Sequence, residues 1–190
     1  MNHQTDDNAG VSRRLLLQGI GCAVAASALG LPAPAIARGA GNFRSVRMFN
    51  LHTDEWVRTV YWIDGAYVPE AMEEINVLMR DWREDAVKPI APETIDILAA
   101  VHARLDTDEP FGVVSGYRTA KTNAMLSRRS SGVAKRSYHI RAMAVDIMLK
   151  SRSVRQMARA AQSLEAGGVG RYSRSNFVHI DSGPVRTWGR

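Results

Sequence analysis

The sequence predicts a single α+β domain, a small antiparallel sheet with helices packed on one face. Three observations predict it. Apolar residues at helical spacing gather in the first half of the chain beyond residue 42. Short apolar runs bounded by Gly and Pro dominate the second half. The 190 residues, less an N-terminal targeting stretch, leave about 150, the size of one ordinary domain.

Residues 45–51 and 57–63 are apolar-rich and partly alternating, and the polar stretch His52 to Glu55 separates them, which reads as a hairpin. Asp64-Gly65 is a turn. Pro69-Glu70 opens a helix with apolar residues at 72, 75, 78, 79 and 82. Pro92-Glu93 opens a second, running to about residue 104. Phe111 to Ser115 reads as a short buried strand, Thr119 to Arg129 as a helix ended by Ser130-Ser131-Gly132, and Met143 to Leu149 as a strand. Ser153 caps a helix that runs to about Leu164. Gly167, Gly168 and Gly170 read as a tight loop, and Phe177 to Asp181 as the final strand.

Residues 1–37 have the form of an address. Arg13 and Arg14 precede a weakly apolar run from Leu15 to Leu31, and Ala35-Ile36-Ala37 supplies small residues for cleavage after Ala37. Adjacent arginines before such a run resemble a twin-arginine export signal, with the periplasm or cell envelope as destination. The run is rich in Gly and Ala, too weak for a stable membrane span. An uncleaved anchor is the alternative, and so is lipidation at Cys22, although Gly19 stands where a lipobox carries leucine. Residues 38–190 are then the functional domain, expected to be a monomer because no helix carries a long heptad seam.

The formal charge is +6, and Arg13 and Arg14 cancel Asp6 and Asp7, so the surplus lies beyond residue 37. A basic surface suits nucleic acid, anionic lipid or cell-wall polymer, or simply solubility. Export removes nucleic acid from the expected partners. The only cysteine, Cys22, lies in the export segment. The rest of the chain therefore has no disulfide, no Cys-ligated metal and no thiol nucleophile. Any metal must be held by His, Asp or Glu.

The segment Ser137-Tyr138-His139-Ile140-Arg141-Ala142-Met143-Ala144-Val145-Asp146 supplies such residues. On the predicted strand, Met143, Val145, Ile147 and Leu149 share one face, which leaves Asp146 on the other. A buried carboxylate there needs a partner, either a metal cation or an arginine. On the last predicted strand, Val178 and Ile180 face one way, and His179 and Asp181 face the other, roughly 7 Å apart. His139, Asp146 and His179 make three N/O ligands and leave a fourth zinc position open, as catalytic sites do. Either histidine serves equally well, by pattern alone, as a hydrogen-bonded structural residue.

The runs Ser115-Gly116-Tyr117-Arg118, Ser137-x-His139 with Asp146, and Phe177-Val178-His179-Ile180-Asp181 resemble the zinc peptidase superfamily of D-Ala-D-Ala carboxypeptidases, lysostaphin-type enzymes and hedgehog signalling domains. With Ser130 to Lys135 and Gly183 to Trp188, the resemblance is closest to the twin-arginine-exported murein endopeptidase K subfamily. It implies a zinc hydrolase of peptide cross-links in peptidoglycan, an endopeptidase or else a carboxypeptidase, acting on the peptide stems. The rival is a non-catalytic wall-binding domain that keeps the fold. The resemblance implies His139, Asp146 and His179 as zinc ligands, Arg118 as the cation that holds the developing oxyanion, and Ser115, Tyr117 and Ser137 as substrate contacts. Two positions depart from the usual motif. Ala142 stands where glycine is usual, and Asn176 and Phe177 stand where relatives place a glutamate or histidine base. Asp181, sharing a face with His179, is then the candidate for base or for orienting that ring.

Overall fold

The computed structural model describes residues 42–189; the export reading of residues 1–37 lies outside the described residues. Eight strands form one sheet. They are β1 Phe43–Asn50, β2 Trp56–Ile63, β3 Ala66–Tyr67, β4 Phe111–Ser115, β5 Ala144–Met148, β6 Gly168–Tyr172, β7 Phe177–Asp181 and β8 Arg186–Gly189. Their spatial order is β3-β2-β1-β4-β5-β7-β6-β8. The α+β class holds, but the sheet is large rather than small. It is also mixed, because β1 joins β4 and β6 joins β8 in parallel while the other pairs are antiparallel.

Four helices complete the fold: α1 Pro69–Leu78, α2 Pro92–Leu105, α3 Ala120–Arg129 and α4 Val154–Gln162. Both α1 and α2 begin on proline, whose missing N–H is no loss in a first turn. Thr119 caps α3 by accepting from the Thr122 N–H, and Ser153 and Gln156 form a capping box on α4. Helix α1 stops at Leu78, so Met79 and Trp82, expected within it, fall in the turn that follows.

The core lies on one face of the sheet. Val46, Met48, Phe111, Val113, Val145, Ile147, Val178 and Ile180 point into it from alternate strand positions. Ile75 and Leu78 of α1, Ile95 and Leu98 of α2, and Met157 and Ala161 of α4 cover them. The opposite face of β5 and β7 carries Asp146, His179 and Asp181. Among the described residues no helix is long and apolar enough to cross a membrane.

Two sequence expectations change at the C-terminal edge. The glycine-rich stretch is strand rather than loop, and β7 is not the last strand, because β8 follows and pairs with β6. Gly168 stands between Asp181 and Arg186, and Gly170 between His179 and Trp188, in the register of the sheet. A Cβ on Gly168 would lie 2.3 Å from an Arg186 nitrogen, and one on Gly170 would lie 2.5 Å from the Trp188 ring. The two glycines leave room for β8 side chains to lean across β6 onto β7. Composition alone reads such glycines as a turn; the pairing with β8 gives them this use.

Candidate metal centre

The register places the polar face residue by residue. Asp146 of β5 pairs with His179 of β7, and a register shift in β4 sets Ser115, rather than Val114, opposite Asp146. His139 arrives from outside the sheet, on a 3-10 turn over Tyr138–Arg141. Ser137 caps that turn by accepting the His139 N–H at 3.3 Å. The chain leaves through Ala142 at φ 56°, a left-handed conformation in which its N–H returns to the His139 carbonyl at 3.1 Å. A positive φ is the conformation that glycine adopts freely, so the backbone here would suit glycine. Alanine tolerates it at a cost of about 1–2 kcal/mol, partly offset because its methyl is fully buried in the core.

His139, Asp146 and His179 are each less than a tenth exposed, and their donor atoms converge within 4.8 Å. His139 Nδ1–H donates to the Gly116 carbonyl at 2.6 Å, so Nε2 carries the lone pair. His179 Nε2–H donates to Asp181 Oδ2 at 3.0 Å, so Nδ1 carries the lone pair. Those two nitrogens stand 3.1 Å apart, and Asp146 Oδ1 lies 3.2 Å from one and 2.8 Å from the other. Three lone pairs thus face one another while both ring N–H groups are committed elsewhere. Such a cluster is complementary to a cation. Tetrahedral N/O ligands bound about 2.0–2.1 Å from zinc stand roughly 3.3 Å apart, so the residues present fit that ion.

The charges of Asp146 and His139 agree with the donor set. Burial pushes the Asp146 carboxyl up, but His139, His179 and Arg118 together hold it well below the ordinary carboxylate range, as an anion. Burial holds His139 below its usual value and keeps its imidazole neutral, as ligation requires. Burial works in the same direction on His179, but Asp146 and Asp181, on opposite sides of the ring, raise it overall.

Each donor has its own support. Arg118 forms an ion pair with Asp146 Oδ2 and gives its Nε–H to Ser115 Oγ at 2.7 Å. Arg186 grips Asp181 with two nitrogens, at 2.9 and 2.7 Å, and the Gly183 N–H adds a third contact at 2.9 Å. The Asp181 carboxyl is fully buried and held low by His179 and Arg186, although burial alone would raise it.

The centre floors a cleft of about 570 Å³. Arg118, Ser137, Tyr138, His139, Asp146 and His179 line it, with Tyr172, Phe177 and Trp188 along one side. Tyr172 stacks on Phe177 at 4.5 Å, and Trp188 donates to the Tyr172 hydroxyl at 3.1 Å. The loop between α3 and the 3-10 turn also lines the cleft, with Gly132 beside Tyr172, and Asn123 ties it down by donating to the Ala134 carbonyl at 3.1 Å.

The structure brings together His139, Asp146, His179, Arg118 and Ser137. Ser115 is buried behind Arg118 and does not line the cleft. Tyr117 also lies outside the lining; its ring faces Lys88 at 5.6 Å and packs against the core. Asp181 sits behind His179, with both oxygens engaged. Among the described lining residues, Asp146 is the one carboxylate. Sequence reading missed Arg186 and Trp188 as part of the site. Their signal was the alternation in Arg186-Thr187-Trp188, but nothing local showed which strand they would join. His52 and His102 stand apart, each donating to a backbone carbonyl, of Val114 at 3.0 Å and of Glu109 at 2.7 Å. A larger hollow of about 730 Å³ lies between β1 and α2. Its charges pair among themselves, Arg44 with Asp96 and Arg47 with Asp108, and it holds no convergent ligand set.

Known proteins resemble this chain closely. A family profile described as "Peptidoglycan L,D-endopeptidase MepK" matches residues 38–188. The Escherichia coli K12 protein of that name is 39% identical over 183 residues, covering 96% of this chain and 100% of the relative. The Haemophilus influenzae protein named probable peptidoglycan L,D-endopeptidase MepK is 37% identical over 140 residues, 73% of this chain and 75% of the relative. A solved structure, the Serratia marcescens L-Ala D-Glu endopeptidase ChiX, matches at 19% identity and a TM-score of 0.34, over 50% of this chain and 68% of that one.

Proposed function

The chain belongs to the peptidoglycan L,D-endopeptidase MepK family, and from that premise we propose that it is a zinc-dependent hydrolase of peptide cross-links in bacterial peptidoglycan. The observation that carries the reading is the trio of lone pairs on His139, Asp146 and His179, facing one another at the floor of an open cleft. Zinc held by these residues would polarise a peptide carbonyl and lower the pKa of a water molecule.

The protein's own groups set the rest. Gly116 and Asp181 fix the two imidazole tautomers, so that Nε2 of one and Nδ1 of the other stay unprotonated. Arg118, fixed by Ser115 and Asp146, places a permanent positive charge beside the ligands, where an oxyanion develops in amide hydrolysis. The aromatic side of the cleft and the adjoining loop border the approach to the ligands. Of the two roles open to Asp181, the geometry favours orienting His179. A carboxylate gripped by Arg186 and turned away from the cleft has no free oxygen to take a proton from substrate water. Residues 38–190 are the catalytic domain in this reading. Residues 1–37 direct twin-arginine export, with cleavage after Ala37, to the periplasm or envelope.

One observation favours the second reading, a wall-binding domain without turnover: the cleft lining offers no carboxylate beyond a metal ligand. Purified protein, loaded with zinc and incubated with intact sacculi, separates the two. If cross-linked fragments fall to monomers by mass spectrometry, and a chelator and His179→Ala each abolish this, the protein is the peptidase. If nothing is released while the protein sediments with the sacculi, it is a binding domain.

A further inference from the structure

Three arginines line the cleft, Arg118, Arg136 and Arg186, against one lining carboxylate, Asp146. Two of the three are committed. Arg118 holds Asp146 and Ser115. Arg186 holds Asp181 with two nitrogens and lies over the rings of Tyr138 and Trp188, at 4.9 and 4.8 Å. Arg136 differs from both. It is exposed at the cleft wall, and among the described residues no hydrogen bond, ion pair or ring contact engages it. The next residue, Ser137, caps the turn that carries His139, so the backbone anchors Arg136 close to a metal donor.

Among the described residues no carboxylate pairs with Arg136. Between Glu109 and Asp146 there is no acidic residue, while Arg118, Lys121, Arg128, Arg129, Lys135, Arg136 and Arg141 all fall in that interval. Within the loop wall itself the charged residues are Lys135 and Arg136, and with Arg118 paired to Asp146 and Lys121 to Glu84 the segment keeps a positive surplus that favours anions in the cleft. A free guanidinium offers five N–H donors and no acceptor, in a planar fork that matches a carboxylate. From this we infer that Arg136 forms a carboxylate subsite beside the metal centre, and that the cleft selects peptides with free carboxylates near the bound amide over their amidated forms. The inference takes its class of peptide from the proposed function but does not need turnover.

Calorimetric binding to the zinc-loaded protein tests it. The probes are the stem tripeptide L-alanyl-γ-D-glutamyl-diaminopimelate and the same peptide with its carboxyls amidated. The wild type is expected to bind the free acid about tenfold more tightly, the scale of one charge-assisted hydrogen-bonded pair. Arg136→Gln should bring the two affinities together. Arg136→Lys should keep part of the preference, because it keeps the charge but loses the fork. Equal binding of both probes by the wild type, no measurable binding of either, or a preference that survives Arg136→Gln would each overturn the subsite. The sacculus assay is read separately. Uncut sacculi with the acid preference intact remove the hydrolase reading and keep the subsite, and cut sacculi without the preference do the reverse.

Discussion

His179 and Asp181 lie two residues apart on one face of β7, and the Nε2–H of the first donates to Oδ2 of the second at 3.0 Å. That contact leaves Nδ1 as the lone-pair nitrogen facing Asp146 and His139. Asp181 in turn is held by Arg186, which reaches it across Gly168. A run from the outer strand to the candidate metal donors is thereby fixed: Arg186 to Asp181 to His179.

Asp181→Asn is expected to lower zinc affinity by about 10–100-fold, the usual scale for losing a group that orients a ligand. An amide in that place can present its NH2 to His179 and reverse the tautomer. Competition with a calibrated chelator measures this. Unchanged zinc affinity with lost turnover would instead make Asp181 a proton acceptor.

Gly168→Ala is expected to destabilise the fold by about 1–3 kcal/mol, the range for forcing extra carbon into a packed site. The added methyl would strike both the Arg186 guanidinium and Asp181 Oδ2, the latter at 2.5 Å. Zinc affinity should fall along with stability. Denaturant unfolding with and without zinc reads both effects, and a variant as stable as wild type would show that Arg186 does not depend on this gap.

At position 142 the left-handed backbone and the buried methyl oppose each other. Ala142→Gly is therefore expected to change stability by no more than about 1 kcal/mol. Ala142→Val should cost more than about 2 kcal/mol, because a branched side chain at positive φ is a true outlier. Melting temperatures of the two variants decide this, and a well-tolerated valine would refute it.

The pH dependence of stability follows from carboxyls held low. Burial pushes Asp81 up, but it accepts from the Thr119 N–H at 2.8 Å and the Arg83 N–H at 3.2 Å and ends below its ordinary value. Burial pushes Glu109 up as well, but Ser151 and the Lys150 N–H together lower it overall. Asp181 is the third such group. A folded-state value below the unfolded one contributes stability that is full above the unfolded pKa, about 4, and is lost as pH falls through the folded values. His102, held low mainly by burial, adds a loss of the same sign below about pH 6.5. Thermal stability should thus decline as pH falls from about 6.5 and drop steeply below about 4, as a pH series of melting curves would show. A melting temperature that rises on acidification would contradict it.

Most of the elements, and the residues that converge as candidate ligands, were legible in the chain itself. Alternation along β5 and β7 put Asp146 and His179 opposite the core residues, and a two-residue period is a local property that any strand obeys. Prolines at the starts of α1 and α2, the capping serine of α4 and the Asp64-Gly65 turn were legible for the same reason, since each acts within a few residues. The tertiary structure alone decided what stands beside what. The shift in β4 turned Ser115 toward Asp146 and gave it to Arg118 rather than to the cleft. The parallel pairing of β6 with β8 made Gly168 and Gly170 spacers instead of a loop, and carried Arg186 and Trp188 into the site. Asp181 looked free on its strand and proved to be enclosed. Register and strand order are set by hydrogen bonds and packing between distant segments, and no local period records them.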